Sequence, residues 1–399
     1  MSNNSKYYSF NVDRIEPNLP LFIERAGRKW ISYGADNLYP QFIAGLFQKS
    51  AMNRTCIVSK VDGVFGQGLT TKDPEQNYLL KRANPKESWN DVFEKVILDY
   101  VTFGGFSINV IWSNDGEEIA EMYHVVFSKV RSGIHIPETD CVEHYYYSSD
   151  WTNWKRNAPI QYAAYNPGKS LEQPNQLYYF FDYEPGSLFY PLPSYSGGLN
   201  DIQLDTEVSK WHLNNIANGL APSLFIGLNN GIPDPEARQE IYDEITMAFR
   251  GSDNAGKAFI AFSDDKEHAP EITPIPAANS DYYVTLETRI TSRILSAHRI
   301  TSPLLLGLYH EGGSGFSSNA NEIEVSYAHF ISTVIKPIQK VLLKCMNSLM
   351  DYKGYGNVEL VIEPNKIIEA KEDTTAATQA LADANTAKTA ADTQLSDAN

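Results

Sequence analysis

Three helical stripes crowd the stretch from 199 to 350, and the way they are interrupted constrains the fold more than any other feature of the sequence. Leu204, Val208 and Trp211 recur at helical spacing before Gly219. Tyr283, Leu286, Ile290, Ile294 and Ala297 form a second stripe, spaced three, four, four and three. Ile323, Tyr327, Phe330, Val334 and Ile338 form a third, and Pro337 inside it removes a backbone donor, which predicts a bend. Between the first two lie SLFIGL at 223–228, the proline-started acidic run IPDPEARQEIYDEITMAF, the turn GSDNAGK and the apolar AFIAF at 258–262. That order predicts a strand–helix–strand insert carried by two helices. Between the second and third stripes lies PLLLGLYHEGGSGFSSNANE at 303–322. Ordering so many glycines is entropically costly, so a flexible loop placed there is expected to serve something.

The first half reads as mixed α and β. Short alternating or aromatic runs are broken by turn signals: GADNLYP at 34–40, GVFGQGL at 63–69, SINVIW at 107–112 and AEMYHVVF at 120–127. One helix interrupts them, SWNDVFEKVILDYVTFG at 88–104, with Ser88 as N-cap and Gly104 as its stop. The run at 177–200, rich in prolines and ending in paired glycines, marks a domain edge. Beyond 350 a strand, NVELVIEP, precedes a tail of Ala, Thr and Asp that cannot build a core, for which the composition predicts disorder over a solvated helix.

At 399 residues the chain exceeds one ordinary core, and two or three structural units are expected. Hydrophobic residues at 42% and charged residues at 21% suit a folded soluble protein. No apolar run approaches the roughly 18 to 20 residues that cross a bilayer. MSNNSKYYSFNVDR has the features of no export signal, so folding is expected where the chain is made. Cys56, Cys141 and Cys345 are distant and odd in number, and they read as small core residues in a reducing compartment. The net charge of -16, from 49 acidic and 33 basic side chains, opposes tight winding on nucleic acid. If DNA is a partner, it passes rather than sticks.

The motifs that suggest chemistry mostly dissolve on inspection. GSDNAGKA at 251–258 fits a phosphate-binding loop except at its last place, where Ala258 replaces the hydroxyl that would hold magnesium. Its context is also reversed, since such a loop follows a strand and opens a helix. GGSG at 312–315 lacks the spacing of a dinucleotide fingerprint. The eight histidines, among them His124, His135, His144, His212 and His310, show no metal-ligand spacing and read as structural. Asp264/Asp265 and Glu372/Asp373 fall in turn and tail segments, no nucleophile elbow occurs, and no pattern points to catalysis, a metal or a cofactor. The aromatic run HYYYSSDWTNW at 144–154 could stack bases or sugars, but packing at an interface or over a sheet is the commoner use.

The ordered set from about 199 to 350 resembles the portal protein of tailed bacteriophages, most closely the portals of long-tailed, lambdoid-type phages. Ile294, Pro303 and Gly307 match that family's pattern at the end of its second helix, Asn321 and Glu322 the block after the loop, and Pro337 the interrupted helix. GADNLYP and VTFGGFSINV resemble the family's wing region more loosely, and the tail departs from it, with the usual helical crown shortened to a low-complexity end. The resemblance implies an α+β portal-type fold: a mixed wing over 1–198, stem helices over 199–217 and 280–302, and a small αβ clip over 218–279. A tunnel loop over 303–320 follows, then a long kinked helix returning to the wing over 321–367 and a reduced crown or disordered tail over 368–399.

It further implies a ring, a dodecamer by family habit, at one capsid vertex in the virion, assembled in the host cytoplasm. Double-stranded DNA would pass through it, and the terminase large subunit, the head-to-tail adaptor and the major capsid protein would be its partners. Tyr309, His310, Glu311, Gly312, Gly313, Ser314, Gly315, Phe316, Ser317 and Ser318 would line the channel as the tunnel loop. Asp234, Glu236, Arg238, Asp253, Asn254 and Lys257 would present the clip to its partners, and Lys210, Arg289 and Arg293 would be the charged positions of the stem. Two other classes stand beside this one: a nucleotide-binding enzyme using the 251–258 loop, and a carbohydrate-binding structural protein using the Tyr/Trp cluster.

Overall fold

A computed structural model describes residues 22–25, 27–136, 141–217, 224–228, 234, 236–237, 239–240, 258–262, 280–308, 320–353 and 358–364. In chain order the first part contains β1 (Phe22–Ile23), β2 (Ser32–Tyr33), α1 (Tyr39–Lys49), α2 (Ala51–Phe65), β3 (Leu69–Thr71), α3 (Trp89–Phe103), β4 (Gly105–Trp112) and β5 (Ile119–Val125). β6 (Val130–Ser132), β7 (His135–Ile136), β8 (Cys141–Val142), β9 (His144–Tyr147), β10 (Ile160–Ala164) and β11 (Asn175–Phe181) follow. Six of these strands form one sheet in the order β5-β4-β11-β10-β9-β6, antiparallel except between β10 and β11.

α3 shows how local signals and packing agree. Ser88 Oγ accepts from Asp91 N at 3.2 Å, and the Asp91 carboxylate accepts from Ser88 N at 2.7 Å, a reciprocal cap that fixes the helix start. Trp89, Val92, Phe93, Val96 and Ile97 are wholly buried against the sheet and α2, each contributing roughly 1.5–3 kcal/mol. Gly104 ends the helix in the left-handed region with φ 85°, and a Cβ there would stand 2.5 Å from Leu192 O, so only glycine fits.

α1 and α2 are absent from the sequence reading, which takes their residues for strands and turns. Ser50 explains why the two look like one irregular stretch: it ends α1, and its Oγ caps α2 by accepting from Asn53 N at 3.1 Å. The buried side of α2 then mixes Cys56, Ile57, Val61 and Val64 with Asn53 and Lys60, and the polar members hide the helical period. GVFGQGL is likewise split between the end of α2 and β3. The 357–364 strand is present as β14 (Leu360–Ile362), antiparallel to β3.

The second half follows the expected order. α4 (Leu199–Ala217) precedes β12 (Leu224–Leu228) and β13 (Ala258–Phe262), which pair in parallel from Leu224↔Ala258 to Leu228↔Phe262. Parallel neighbours need a crossover, and residues 236–237 and 239–240 inside it are helical. α5 (Ser280–Ala297) follows, then a 3-10 turn over Pro303–Leu306, α6 (Ala320–Phe330) and α7 (Lys336–Met350). The bend expected at Pro337 takes the form of a π-helical stretch over Ile331–Ile335, closed by Lys336 N donating to Ile331 O. Pro337 thereby becomes an early residue of α7, where its missing N–H costs no intrahelical bond. Ile294 of α5, Val334 and Ile335 of the π stretch and Leu349 of α7 join the same buried cluster as α2 and α3. The tail beyond 364 lies outside the described residues.

Candidate functional site

The two stem helices of the sequence reading lie side by side and antiparallel. Asp201 Oδ1 is 3.3 Å from Arg293 Nη1 near one end, and Glu287 Oε1 is 3.0 Å from His212 Nε2 farther along. At the tight end a Cβ on Gly198 would lie 2.5 Å from Ala297 Cβ, which is why a glycine stands where the pair converges. Leu199, Ile202 and Thr206 are buried among the described side chains of α4, and Asp205 accepts from Ser50 Oγ at 2.6 Å. The expected stripe of Leu204, Val208 and Trp211 is covered only in part: Val208 packs against the core, Leu204 and Trp211 remain 40% and 42% exposed, and Leu213, off that stripe, is 66% exposed. Apolar periodicity identified one apolar face, while the most deeply buried residues of the helix, Leu199, Ile202 and Thr206, lie on the opposite, partly polar one.

Arg293 spends its charge on Asp201 within the chain, and Lys210 Nζ lies 2.6 Å from Glu207 Oε1 with both side chains half exposed, a pair of little energetic consequence. Arg289 is exposed. Asp234 and Glu236 are exposed, and Asp234 Oδ1 accepts from Ala237 N at 2.9 Å, a helix-starting contact. Arg238, Asp253, Asn254, Lys257 and all ten tunnel-loop positions from Tyr309 to Ser318 lie outside the described residues. Ala258 opens β13, so the glycine run before it leads into a strand and not a helix.

The remaining chemistry-bearing residues are structural where described. His124 Nε2 is 2.7 Å from Asp99 Oδ2, which also accepts from Phe127 N at 3.0 Å. Cys56 and Cys345 are buried, and burial pushes the Cys56 thiol up to about 12. Cys141 is exposed on the short strand β8, which corrects its reading as a core residue. The aromatic run packs within the subunit: Trp30 meets Tyr146, Trp151 and Trp154 at ring distances of 5.9, 5.3 and 5.1 Å, and Arg131 lies 4.8 Å over Trp151. Among the described residues no three His, Cys, Asp or Glu side chains converge on a metal position, and no helix is long and apolar enough to cross a membrane.

Sequence reasoning passed over two cations. Lys60 in α2 is only 3% exposed, and its ammonium is pushed down to about 8, first by burial and then in part by the like charge of Arg299. Arg299 follows α5 with φ 59°, and the bonds Arg299 N to Ser296 O and Ile300 N to Leu295 O make it the left-handed residue of a helix-ending turn. The one available signal was the absence of a glycine or asparagine after a helix that plainly ends there.

A family model described as phage portal protein matches residues 57–392. An uncharacterized protein of Rickettsia bellii (strain RML369-C) is 25% identical over 186 residues, 46% of this chain, and the chain's match spans 44% of that relative's length. Among solved structures, a chain in the virion of a native gene transfer agent particle superposes with a TM-score of 0.54 at 14% identity, covering 86% of this chain and 91% of that one. A chain in the neck of a native gene transfer agent particle, computed with C12 symmetry, gives 0.52 at 14% identity, covering 84% and 88%. At such identities the structural likeness speaks for the fold.

Proposed function

Because the chain belongs to the phage portal protein family, we propose that it is the subunit of a ring at one vertex of a capsid, through which double-stranded DNA enters and later leaves. Residues 1–198 with the return over 321–367 form its wing, α4 and α5 its stem (199–217 and 280–302), 218–279 its clip and 303–320 its tunnel loop. The clip, with Asp234, Glu236, Arg238, Asp253, Asn254 and Lys257, meets the terminase large subunit during packaging and a head-to-tail adaptor afterwards. The wing contacts the major capsid protein, so the protein resides in the virion after assembly in the host cytoplasm. Tyr309 through the serines at 317 and 318 ring the duplex.

The observation that carries this reading is the set of exposed apolar side chains on α4, next to the helix that pairs with it and the strand pair that separates the two in sequence. Leu204 and Trp211 on one side of α4 and Leu213 on the other keep 40%, 42% and 66% of their surface exposed in a single chain, and identical chains set side by side would bury more of it. The C12 symmetry of the gene transfer agent neck supports a closed ring of that order. The acidic balance of -16 suits a channel wall on which phosphates do not lodge. Negative-stain microscopy and mass photometry of the purified chain test the reading. Rings with a central hole are expected, and single globules at micromolar concentration would overturn it.

A further inference from the structure

A cleft of about 610 Å³ opens between the end of α5, the 3-10 turn after it and the α6–π junction. Two polar stripes face it, Ser292, Ser296 and Arg299 from the first side and His329 and Thr333 from the second, with Thr301 between them. The hydroxyls of Ser292 and Thr333 are committed, donating to Thr288 O at 2.9 Å and to His329 O at 2.8 Å. Those of Ser296 and Thr301, the His329 ring and the Arg299 guanidinium have no hydrogen-bond or ion-pair partner among the described residues. Lys60, buried beneath the same helices, has no carboxylate partner there either, and is near enough to Arg299 for the two cations to disfavour each other. In a chain with net charge -16, the Arg299 guanidinium lining the cleft beside three unused donors, with the Lys60 ammonium buried close to Arg299, is an arrangement that a negative ligand completes.

The backbone at Arg299 is the second observation. A left-handed φ of 59° is free of strain for glycine and costs about 1 kcal/mol for a residue with a Cβ. An arginine kept in that position has a use for its side chain beyond ending the helix. We infer that this cleft is a binding site for a phosphate group, held by the Arg299 fork with Ser296, Thr301 and His329 as further donors. The phosphate has two possible sources, the backbone of a duplex passing the adjoining loop or a free phosphate ion.

The test uses the full chain, inorganic phosphate and a short blunt DNA duplex as probes, and chloride at matched ionic strength as the reference. Calorimetric titration of the wild type is expected to give saturable binding of one probe or both. Binding of duplex alone assigns the backbone as the source, and binding of free phosphate alone assigns the ion. R299G is expected to weaken that binding roughly tenfold or more, since a charge-assisted bidentate contact is lost, while its melting temperature holds or rises as the left-handed strain is removed. H329Q, which sacrifices no hydrogen bond of the folded chain, is expected to weaken binding several-fold. Undiminished affinity in both variants, or no binding of either probe by the wild type, would overturn the assignment. The inference does not require the ring: a monomer that binds phosphate through Arg299 would sink the portal reading and leave this one standing.

Discussion

His298 is the residue whose burial has the most direct consequence for stability. It is wholly buried, its Nε2 is 2.9 Å from Asn53 Oδ1, and its ring stacks on Tyr195 at 4.5 Å. Burial, with a smaller contribution from the Lys60 charge, pushes its pKa from 6.5 down to about 2. Between those values the unfolded chain binds the proton and the folded chain does not, so stability rises with pH across this window and is complete above about 6.5. Each unit below costs about 1.4 kcal/mol from this residue alone. Urea unfolding is therefore expected to show a lower midpoint near pH 5.5 than near pH 7, and H298Q should flatten that dependence. An unchanged slope in H298Q would mean that other groups carry the acid sensitivity. Reading the histidines as structural anticipated this role, because it rests on missing ligand spacing; Asn53 as the partner, 245 positions away, was beyond any local pattern.

At the scale of elements, the meeting of α4 and α5 depends on the absence of one methyl group. Gly198→Ala would drive its Cβ to 2.5 Å from that of Ala297, where neither atom is the end of a flexible chain. The expected cost is about 1–3 kcal/mol in denaturant unfolding, and a variant as stable as the parent would show that the helices part freely. α3 was legible because its cap, its stripe and its terminal glycine lie within one local window, and β12 and β13 because their apolar runs are short and bounded. α1 and α2 were not, because Ser50 serves both and because Asn53 and Lys60 interrupt a buried face. The α4 stripe was legible as an apolar face, but spacing says nothing of whether the covering atoms belong to the same chain. Arg299 and His329, the residues of the phosphate cleft, come from different helices and share no sequence spacing at all.

For the molecule as a whole, the division between a self-covered core and exposed apolar side chains on α4 predicts that folding and assembly separate. Replacing Trp211 and Leu213 by aspartate changes side chains that are 42% and 66% exposed in the single chain, so the monomer should stay folded, losing within about 0.5 kcal/mol at Leu213 and more at Trp211, which is partly covered. Assembly should fail, with mass photometry reading only monomers; intact rings from the double variant would place the contact between copies elsewhere. The antiparallel course of α4 and α5 has a broader effect. The chain leaves the helix pair at 217 and rejoins it at 280, at the same end of the pair. Everything between is grammatically a parenthesis: it can grow, shrink or be exchanged for another without shifting the register of a single residue in the core. The sequence of that parenthesis can thus drift freely, while the scaffold that carries it inherits none of the change.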